Sequence, residues 1–350
     1  MRALLFPFSL LFRIIVFIRN KLYDLGAFKT VRLNTKVISV GNVNTGGTGK
    51  TPLVEFLAEY FMNKNKLVVI LNKGYKRMYD DIQVAELGYD NIELKLTTEN
   101  IGDESLVLLE NFPGNTQGRG LLIVSDDKTI GAKFAYRKFK PDILIIDDGF
   151  QHRKLSRDLD IVIVDENTKG MLLPAGNLRE PVRNISRADI IILNHKFSHS
   201  DFKVKKKLKY RLSEGKYTIE NFVNICNETI QLGNFNAAVF CGIGDPGSFR
   251  LLIERLGITI DRFFVFPDHH NYTIKDIKSI LHGYKQSGSR FILTTQKDFV
   301  RIKFTKPGNS EIYRLKKEML SDYPLYYAKI KLQISENKEN IYETLSQLVK

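Results

Sequence analysis

Residues 37–57 read VISVGNVNTGGTGKTPLVEFL. A hydrophobic run passes through a glycine-rich turn into a segment with helical spacing, the pattern of a strand, a phosphate loop and a helix. Gly46, Gly47 and Gly49 allow backbone N–H groups to turn inward around phosphate oxygens. Lys50 can reach the β- and γ-phosphates, and the Thr51 hydroxyl can ligate Mg²⁺. The helix beginning near Lys50 adds its positive end. The nucleotide-binding stretch is therefore Asn44, Thr45, Gly46, Gly47, Thr48, Gly49, Lys50 and Thr51. Asn44 stands where the usual loop has its first glycine. A turn without a ligand would not require strand, glycines, Gly-Lys-Thr and helix to coincide.

Working outward, short apolar runs alternate with amphipathic ones. Strands are expected at Val37–Val40, Leu67–Leu71, Leu121–Val124, Ile143–Ile146, Ile161–Val164 and Ile190–Leu193, with helices such as Pro52–Met62 and Ile130–Lys138 between some of them. Continuous β-branched runs separated by helices signal a buried parallel sheet. A second set follows, with strands at Ala237–Cys241, Phe263–Phe266 and Phe291–Leu293 and helices at Ser248–Leu256 and Ile274–Gln286. Lys216–Leu232 between the sets reads as a ribbon of two short strands. The expected organisation is an N-terminal helix (1–28), a nucleotide-binding α/β domain (29–215), a ribbon linker (216–233) and a second, smaller α/β lobe (234–350) whose last helix packs back on the first domain.

The chain has 350 residues, with 43% hydrophobic and 26% charged residues, which excludes disordered and fibrous classes. Two cysteines, Cys226 and Cys241, are too few for a disulfide framework or a zinc cluster. Fifty-three Lys and Arg against 39 Asp and Glu give +14, which suits nucleic acid, an anionic membrane surface or an anionic substrate. The lysine run Lys203, Lys205, Lys206, Lys207 and Lys209 has only Tyr210 and Arg211 beside it, and reads as a solvated face rather than a nucleic-acid patch. In residues 1–28, Ala3–Ile18 is apolar except for Pro7, Ser9 and Arg13. A spanning helix needs about 20 apolar residues, and no small-residue cleavage site follows. With Arg2, Arg13, Arg19 and Lys21 available for lipid phosphates, an interfacial membrane helix is the favoured reading over a helix that covers a core groove.

Phosphoryl transfer needs metal ligands and a group to orient the attacking hydroxyl. Ile143–Ile146 runs into Asp147-Asp148-Gly149, the place for a Walker-B-like carboxylate, although Asp-Gly is also a turn pair. In the loop at 172–181, LLPAGNLREP, Arg179 could neutralise phosphate and Glu180 could hold metal; a purely structural loop fits the residues equally well. Asp103 in GDES reads by itself as a helix N-cap. His269 and His270 follow a strand in FPDHHNYT; adjacent histidines diverge, so one paired with a carboxylate would make a better base than both a metal site.

Taken together, VGNVNTGGTGKTP, GDES, DDGFQH, LLPAGNLREP, GIGDPGSF, FPDHHNYT and TTQKD resemble, in order, the tetraacyldisaccharide 4′-kinase family of lipid A biosynthesis. The resemblance implies two α/β/α lobes joined by a β ribbon, with a membrane-associated N-terminal helix at the cytoplasmic face of the bacterial inner membrane. It implies that the γ-phosphate of ATP, with Mg²⁺, moves to the 4′-hydroxyl of an acylated glucosamine disaccharide 1-phosphate, giving lipid IVA. On this resemblance Lys50 and Thr51 serve phosphates and metal, and Asp147, Asp148 and Glu180 organise metal and phosphate. Asp103 and His269, from different lobes, form a dyad that assembles when the lobes close, with His270 as the reserve and a substrate-phosphate contact beside Arg179. No nucleic acid and no obligate protein partner are implied. Asn72-Lys73-Gly74-Tyr75, Asp245 and Gln296 depart from the family's pattern. The rival readings are a ParA-like or metallochaperone-type NTPase switch, whose signature lysine would fall at Thr45, and a membrane-anchored basic nucleic-acid binder.

Overall fold

The computed structural model describes residues 2–74, 77, 81–88, 97–112, 116–195, 212–305 and 310–349. The lysine run 203–209, Tyr210, Arg211 and Tyr75 lie outside the described residues. The first half of the chain runs α1 (Arg2–Asp24), β1 (Lys36–Gly41), α2 (Lys50–Met62), β2 (Val68–Asn72), β3 (Gln83–Glu86), α3 (Thr98–Ile101), α4 (Asp103–Asn111), β4 (Gly120–Val124), α5 (Lys128–Phe139), β5 (Ile143–Ile146), β6 (Leu159–Val164) and β7 (Ile190–His195). The second runs β8 (Leu212–Val223), β9 (Thr229–Ile230), β10 (Asn236–Cys241), α6 (Pro246–Glu254), β11 (Thr259–Val265), α7 (Ile274–Ser287), β12 (Phe291–Thr295), α8 (Gln296–Lys303), α9 (Glu311–Ser321), β13 (Leu325–Glu336) and α10 (Lys338–Leu348).

The apolar runs become a central parallel sheet because both of their faces are covered. Every residue of β2, β4, β5 and β6 is buried. Alternation along β1 separates two layers. Ile38 and Val40 pack with Leu53, Leu57 and Phe61 of α2 and with Ile341 and Leu345 of α10. Val37 packs on the opposite face with Ala132 and Ala135 of α5. In the second half, Phe249 and Leu252 of α6 cover one face of β10 and β12, and Ile277 and Ile280 of α7 and Phe299 of α8 cover the other. Each half is thus a helix–sheet–helix sandwich.

The two halves share one sheet, in the order β11-β10-β12-β13-β8-β7-β6-β1-β5-β2-β4-β3 with β9 on β8. The expected ribbon of two strands is β8 with β9 as its short antiparallel return, but β8 is longer than expected, 12 residues, and begins before the ribbon. β8 pairs parallel with β7 and antiparallel with β13, so it belongs to both halves at once. The parallel strands β1, β2, β4, β5, β6 and β7 deliver the phosphate loop, Asn72, Ser125–Lys128, Asp147-Asp148, Asp165 and Asn194 at their carboxyl ends, where such sheets build sites.

α1 inverts the usual pattern of a surface helix, which turns its apolar stripe inward. Ser9, Val16 and Asn20 are buried, whereas Leu4, Phe6, Phe8, Leu10, Leu11, Ile14, Ile15, Phe17 and Ile18 are exposed. Among the described residues, no helix is long and apolar enough to cross a membrane.

Candidate active site

The phosphate loop leaves β1 and is pinned before it arches. Asn42 Nδ2 donates to Thr48 Oγ1 at 2.8 Å, Asn194 Nδ2 donates to the Thr48 carbonyl at 2.9 Å, and the Tyr217 hydroxyl from β8 donates to the Gly49 carbonyl. Gly49 has φ 90° at the N-cap of α2, and a Cβ there would run into the Tyr217 ring. Glycine is thus required twice over, by conformation and by space. Asn44 is buried, with Nδ2 3.4 Å from Asp165 Oδ1, while Thr45, Gly46 and Gly47 are exposed at the tip. The loop's first limb pairs with the 172–181 loop. Thr45 N donates to Asn177 O at 2.7 Å, and Arg179 N to Val43 O at 2.7 Å.

Lys50 Nζ lies 3.4 Å from Asp148 Oδ1, and Arg179 Nη1 donates to Asp148 Oδ2 at 2.8 Å. Lys128 Nζ donates to the Asp148 carbonyl at 2.6 Å. Burial pushes the Asp148 carboxyl up, but Lys50, Arg179 and Lys128 outweigh it and hold it well below the usual carboxylate range. Asp148 itself has φ 51°, a left-handed conformation seldom taken outside glycine and asparagine. Asp147 differs. Burial, with Glu104 and Asp148 nearby, pushes it up to about 6 against the opposing pull of Lys50 and Lys128. Its Oδ2 accepts from Asn72 Nδ2 at 2.9 Å, and its buried Oδ1 has no hydrogen-bond partner among the described residues. That orphaned oxygen on a carboxylate in need of positive charge suits a divalent cation. Thr51 follows Lys50 in the first turn of α2 and is half-buried.

Asp103 is not the N-cap. Gly102 takes that place with φ 79°, and Asp103 opens α4 with Oδ1 accepting from Glu104 N at 2.9 Å. Its Oδ2 lies 2.9 Å from His269 Nδ1, across the two halves, and also accepts from Nη2 and from Nε (2.9 Å) of Arg301. The dyad is therefore already made in this conformation, held by a guanidinium that also donates to Asp298 Oδ1 at 2.8 Å and to Gly242 O at 2.9 Å. Burial raises Asp103, but the His269 hydrogen bond and the Arg301 and Lys297 charges prevail and keep it ionised. His269 has φ 59°, the second strained residue of the site. Lys297 of α8 donates to Glu104 Oε1 at 2.8 Å. Glu104 follows Asp103 and raises Asp147, so dyad and carboxylate pair share one electrostatic neighbourhood.

Two expected members are engaged elsewhere. His270 Nε2 lies 2.9 Å from Asp276 Oδ2 in the capping box of α7, and its ring stacks on Phe266 with centroids 4.9 Å apart. Glu180 is fully buried, and its oxygens accept from Arg19, Asn20, Asn184 and Arg187 at 2.7–3.3 Å. The structure ties it to α1 rather than to Asp147. The departures also have local partners. Asn72 holds Asp147, Asp245 caps α6 by accepting from Ser248 N at 3.1 Å, and Gln296 pairs with Asn111 of α4.

Arg301, Lys128, Lys297 and Tyr217 escaped the sequence reading, while Glu104 entered it only as part of the GDES carboxylate cluster. Lys128 carried a usable signal, because it follows β4 at the same end of the sheet as Asp147. Arg301 carried a weaker one, lying three residues after Asp298 on a helical face.

The profile of the family described as Tetraacyldisaccharide-1-P 4'-kinase (LpxK) matches residues 1–350. The curated tetraacyldisaccharide 4'-kinase of Aquifex aeolicus (strain VF5) is 36% identical over 313 residues, covering 86% of this chain and 90% of that protein. That of Chlorobium phaeovibrioides (strain DSM 265 / 1930) is 32% identical over 365 aligned residues, covering 99% and 97%. A crystal structure of LpxK from Aquifex aeolicus, described as an "apo" form in complex with ATP, matches with TM-score 0.77 and 31% identity over 100% of this chain and 99% of that one. On a profile that spans the whole chain and on relatives aligned over most of their length, this chain belongs to the tetraacyldisaccharide-1-P 4'-kinase family.

Proposed function

We propose that this chain transfers the γ-phosphoryl group of ATP to the 4′-hydroxyl of an acylated glucosamine disaccharide 1-phosphate, forming lipid IVA. The observation that carries this reading is the Asp103–His269 pair, 2.9 Å between oxygen and nitrogen, electrostatically adjacent to a phosphate loop whose lysine is 3.4 Å from Asp148. A nucleotide switch has no need of a carboxylate–imidazole base beside its phosphates; a kinase for an alcohol does.

The residues divide the work. The amides of Thr45–Lys50 and the start of α2 cradle phosphate oxygens. Lys50, Lys128 and Arg179 form a cationic group on which charge at the transferring phosphoryl can settle. Asp147 and Thr51 would hold Mg²⁺, which supplies charge neutralisation of the phosphates when bound. His269 donates Nδ1–H to Asp103, which fixes the tautomer with Nε2 as the acceptor. Nε2 takes the hydroxyl proton as the new O–P bond forms and the bond from the γ-phosphorus to its bridging oxygen breaks, and ADP leaves. Arg301 keeps Asp103 anionic and aimed across the halves of the molecule.

The exposed apolar face of α1, with Arg13 exposed among it, supports an interfacial seat on the cytoplasmic side of the inner membrane, where an acylated substrate would be met. The test is purified protein with Mg²⁺, radiolabelled ATP and tetraacyldisaccharide 1-phosphate in detergent. A labelled bisphosphorylated lipid is expected. ATP consumption without lipid labelling overturns the reading.

A further inference from the structure

The inward stripe of α1 carries polar side chains, Ser9 and Asn20, beside Val16 and the half-buried Phe12, and the partners of the polar ones are the loops that build the active site. Ser9 Oγ donates to Leu172 O at 2.6 Å and accepts from Ala175 N at 3.0 Å, at the start of the 172–181 loop. At the loop's other end Arg19 Nη2 donates to Glu180 Oε1 at 3.1 Å, and Asn20 Nδ2 donates to Glu180 Oε2 at 3.0 Å. The loop carrying Asp147 and Asp148 is tied to the same helix. Arg153 donates to Asn20 O at 2.9 Å and to Asp24 Oδ1 at 2.7 Å. Between its two anchors the 172–181 loop makes the contacts of the site, with Asn177 and Arg179 on the backbone of Thr45 and Val43, and the Arg179 guanidinium on Asp148.

We propose that Ser9, Arg19 and Asn20 are positioning residues for phosphoryl transfer: α1 acts as a buckle that holds the 172–181 loop so that Arg179 and the first limb of the phosphate loop keep their places. The inference rests on the kinase reading and extends it to α1, whose polar partners include the 172–181 loop and Arg153. The physical argument is directional. An apolar stripe would let α1 slide or roll on the loop at little cost, whereas hydrogen bonds to a buried carboxylate and to backbone groups fix its register. A buried carboxylate left without one of its donors pulls its surroundings into a new arrangement. A shift of about 1 Å in a positioning group is enough to lower a rate by about 10²-fold. Glu180 thereby has a role in this chain that needs no metal: it joins α1 to Arg179.

The experiment compares full-length wild type with Asn20→Ala, Arg19→Met and Arg19→Lys, each also in an Arg179→Ala background. Turnover is measured on detergent-dispersed disaccharide, where membrane recruitment does not limit the rate. Amide hydrogen exchange is followed at Thr45 and Arg179. Asn20→Ala and Arg19→Met should lower kcat about 10-fold, with KM for ATP changed less than about 2-fold, and Arg19→Lys should restore most of the loss. In the Arg179→Ala background the same substitutions should cost little more, because residues acting through one another are non-additive. Exchange at Thr45 and Arg179 should rise about 10-fold in both deficient variants, consistent with a loosened loop. Unchanged kcat and exchange, or losses that multiply with Arg179→Ala, overturn the buckle while leaving the kinase reading intact. An inactive wild type overturns the kinase reading instead, and the exchange rates then decide the buckle by themselves.

Discussion

The ammonium of Lys50 already has a counter-charge in Asp148, and so does Arg179, so a nucleotide entering the loop finds cations that are held in place rather than free to swing. Preorganised charge of this kind acts mainly on the transition state. Lys50→Ala should therefore lower kcat by at least about 10²-fold with the fold intact, as judged by its thermal transition; a folded variant with wild-type turnover would remove the phosphate loop from the chemistry. The dyad makes a different prediction. A base contributes about 10²–10⁴-fold, and in the proposed mechanism Asp103 acts through His269. Asp103→Ala and His269→Ala should each fall within that range, and the double variant should be scarcely worse than the poorer single one. Full multiplication of the two losses in steady-state kinetics would show that they work independently. The phosphate loop was legible because its chemistry is local: glycines, Lys50 and Thr51 are contiguous. Asp103, His269 and Arg301 lie 166 and 198 positions apart in the chain, so only the fold could show that one carboxylate oxygen serves both partners.

At the scale of elements, reading succeeded where one segment carries its own pattern. Strands β1, β2, β4, β5, β6, β7, β10 and β12 and helices α2, α5, α6 and α7 lie where apolar runs and helical spacing put them; β3 was not among the expected strands. β13, α8 and α9 were not legible, because their apolar positions make sense only against partners distant in sequence; the last helix, expected to pack back on the first domain, does so as α10. β13 pairs with β8 more than a hundred residues earlier, and Ile341 and Leu345 of α10 close the layer begun by Leu53 and Phe61 of α2. α4 and α8 form a seam of the same distant kind, with Asp103–Arg301, Glu104–Lys297 and Glu110–Lys303 ion pairs. α1 is the reverse case. Its composition announced a helix with an apolar face, but the direction of that face depended on what Ser9 and Asn20 meet. Phe8, Leu11 and Ile15 are 61%, 57% and 54% exposed. Phe8→Glu with Ile15→Glu should sharply reduce sedimentation with anionic vesicles, and wild-type binding should weaken as salt is raised. Equal sedimentation of variant and wild type would take the lipid role from this face.

For the whole molecule, the continuous sheet joins the two halves through β8 and β13, and a half-buried acid group lies beside that join. Glu55 of α2 accepts from Asn111 Nδ2 at 2.6 Å, and Asn111 in turn pairs with Gln296 of α8, so the carboxyl sits where both halves meet. Burial, helped by nearby Glu59 and Asp147, pushes Glu55 up to about 8, against the Asn111 hydrogen bond and the Lys329 charge. A carboxyl raised on folding holds its proton more tightly in the native state than in the unfolded chain. Its contribution to stability is therefore complete below its ordinary value near 4.5 and is lost as pH rises to about 8. Asp147 and Asp160, each raised to about 6, add slope of the same sign up to that pH and none above it. Between pH 6 and 8 Glu55 therefore still contributes a decline after Asp147 and Asp160 have ceased to. One pKa unit corresponds to about 1.4 kcal/mol, and water at the partly exposed edge of Glu55 reduces what the shift delivers. Glu55→Gln, which keeps a partner for Asn111 and cannot ionise, should match wild type near pH 5. By pH 8.5 it should be more stable by roughly 2 kcal/mol, read as a gap between the two denaturation midpoints that widens with pH. Parallel midpoints across that range would mean that Glu55 ionises in the folded protein at no cost, and that the seam between the halves is open to water.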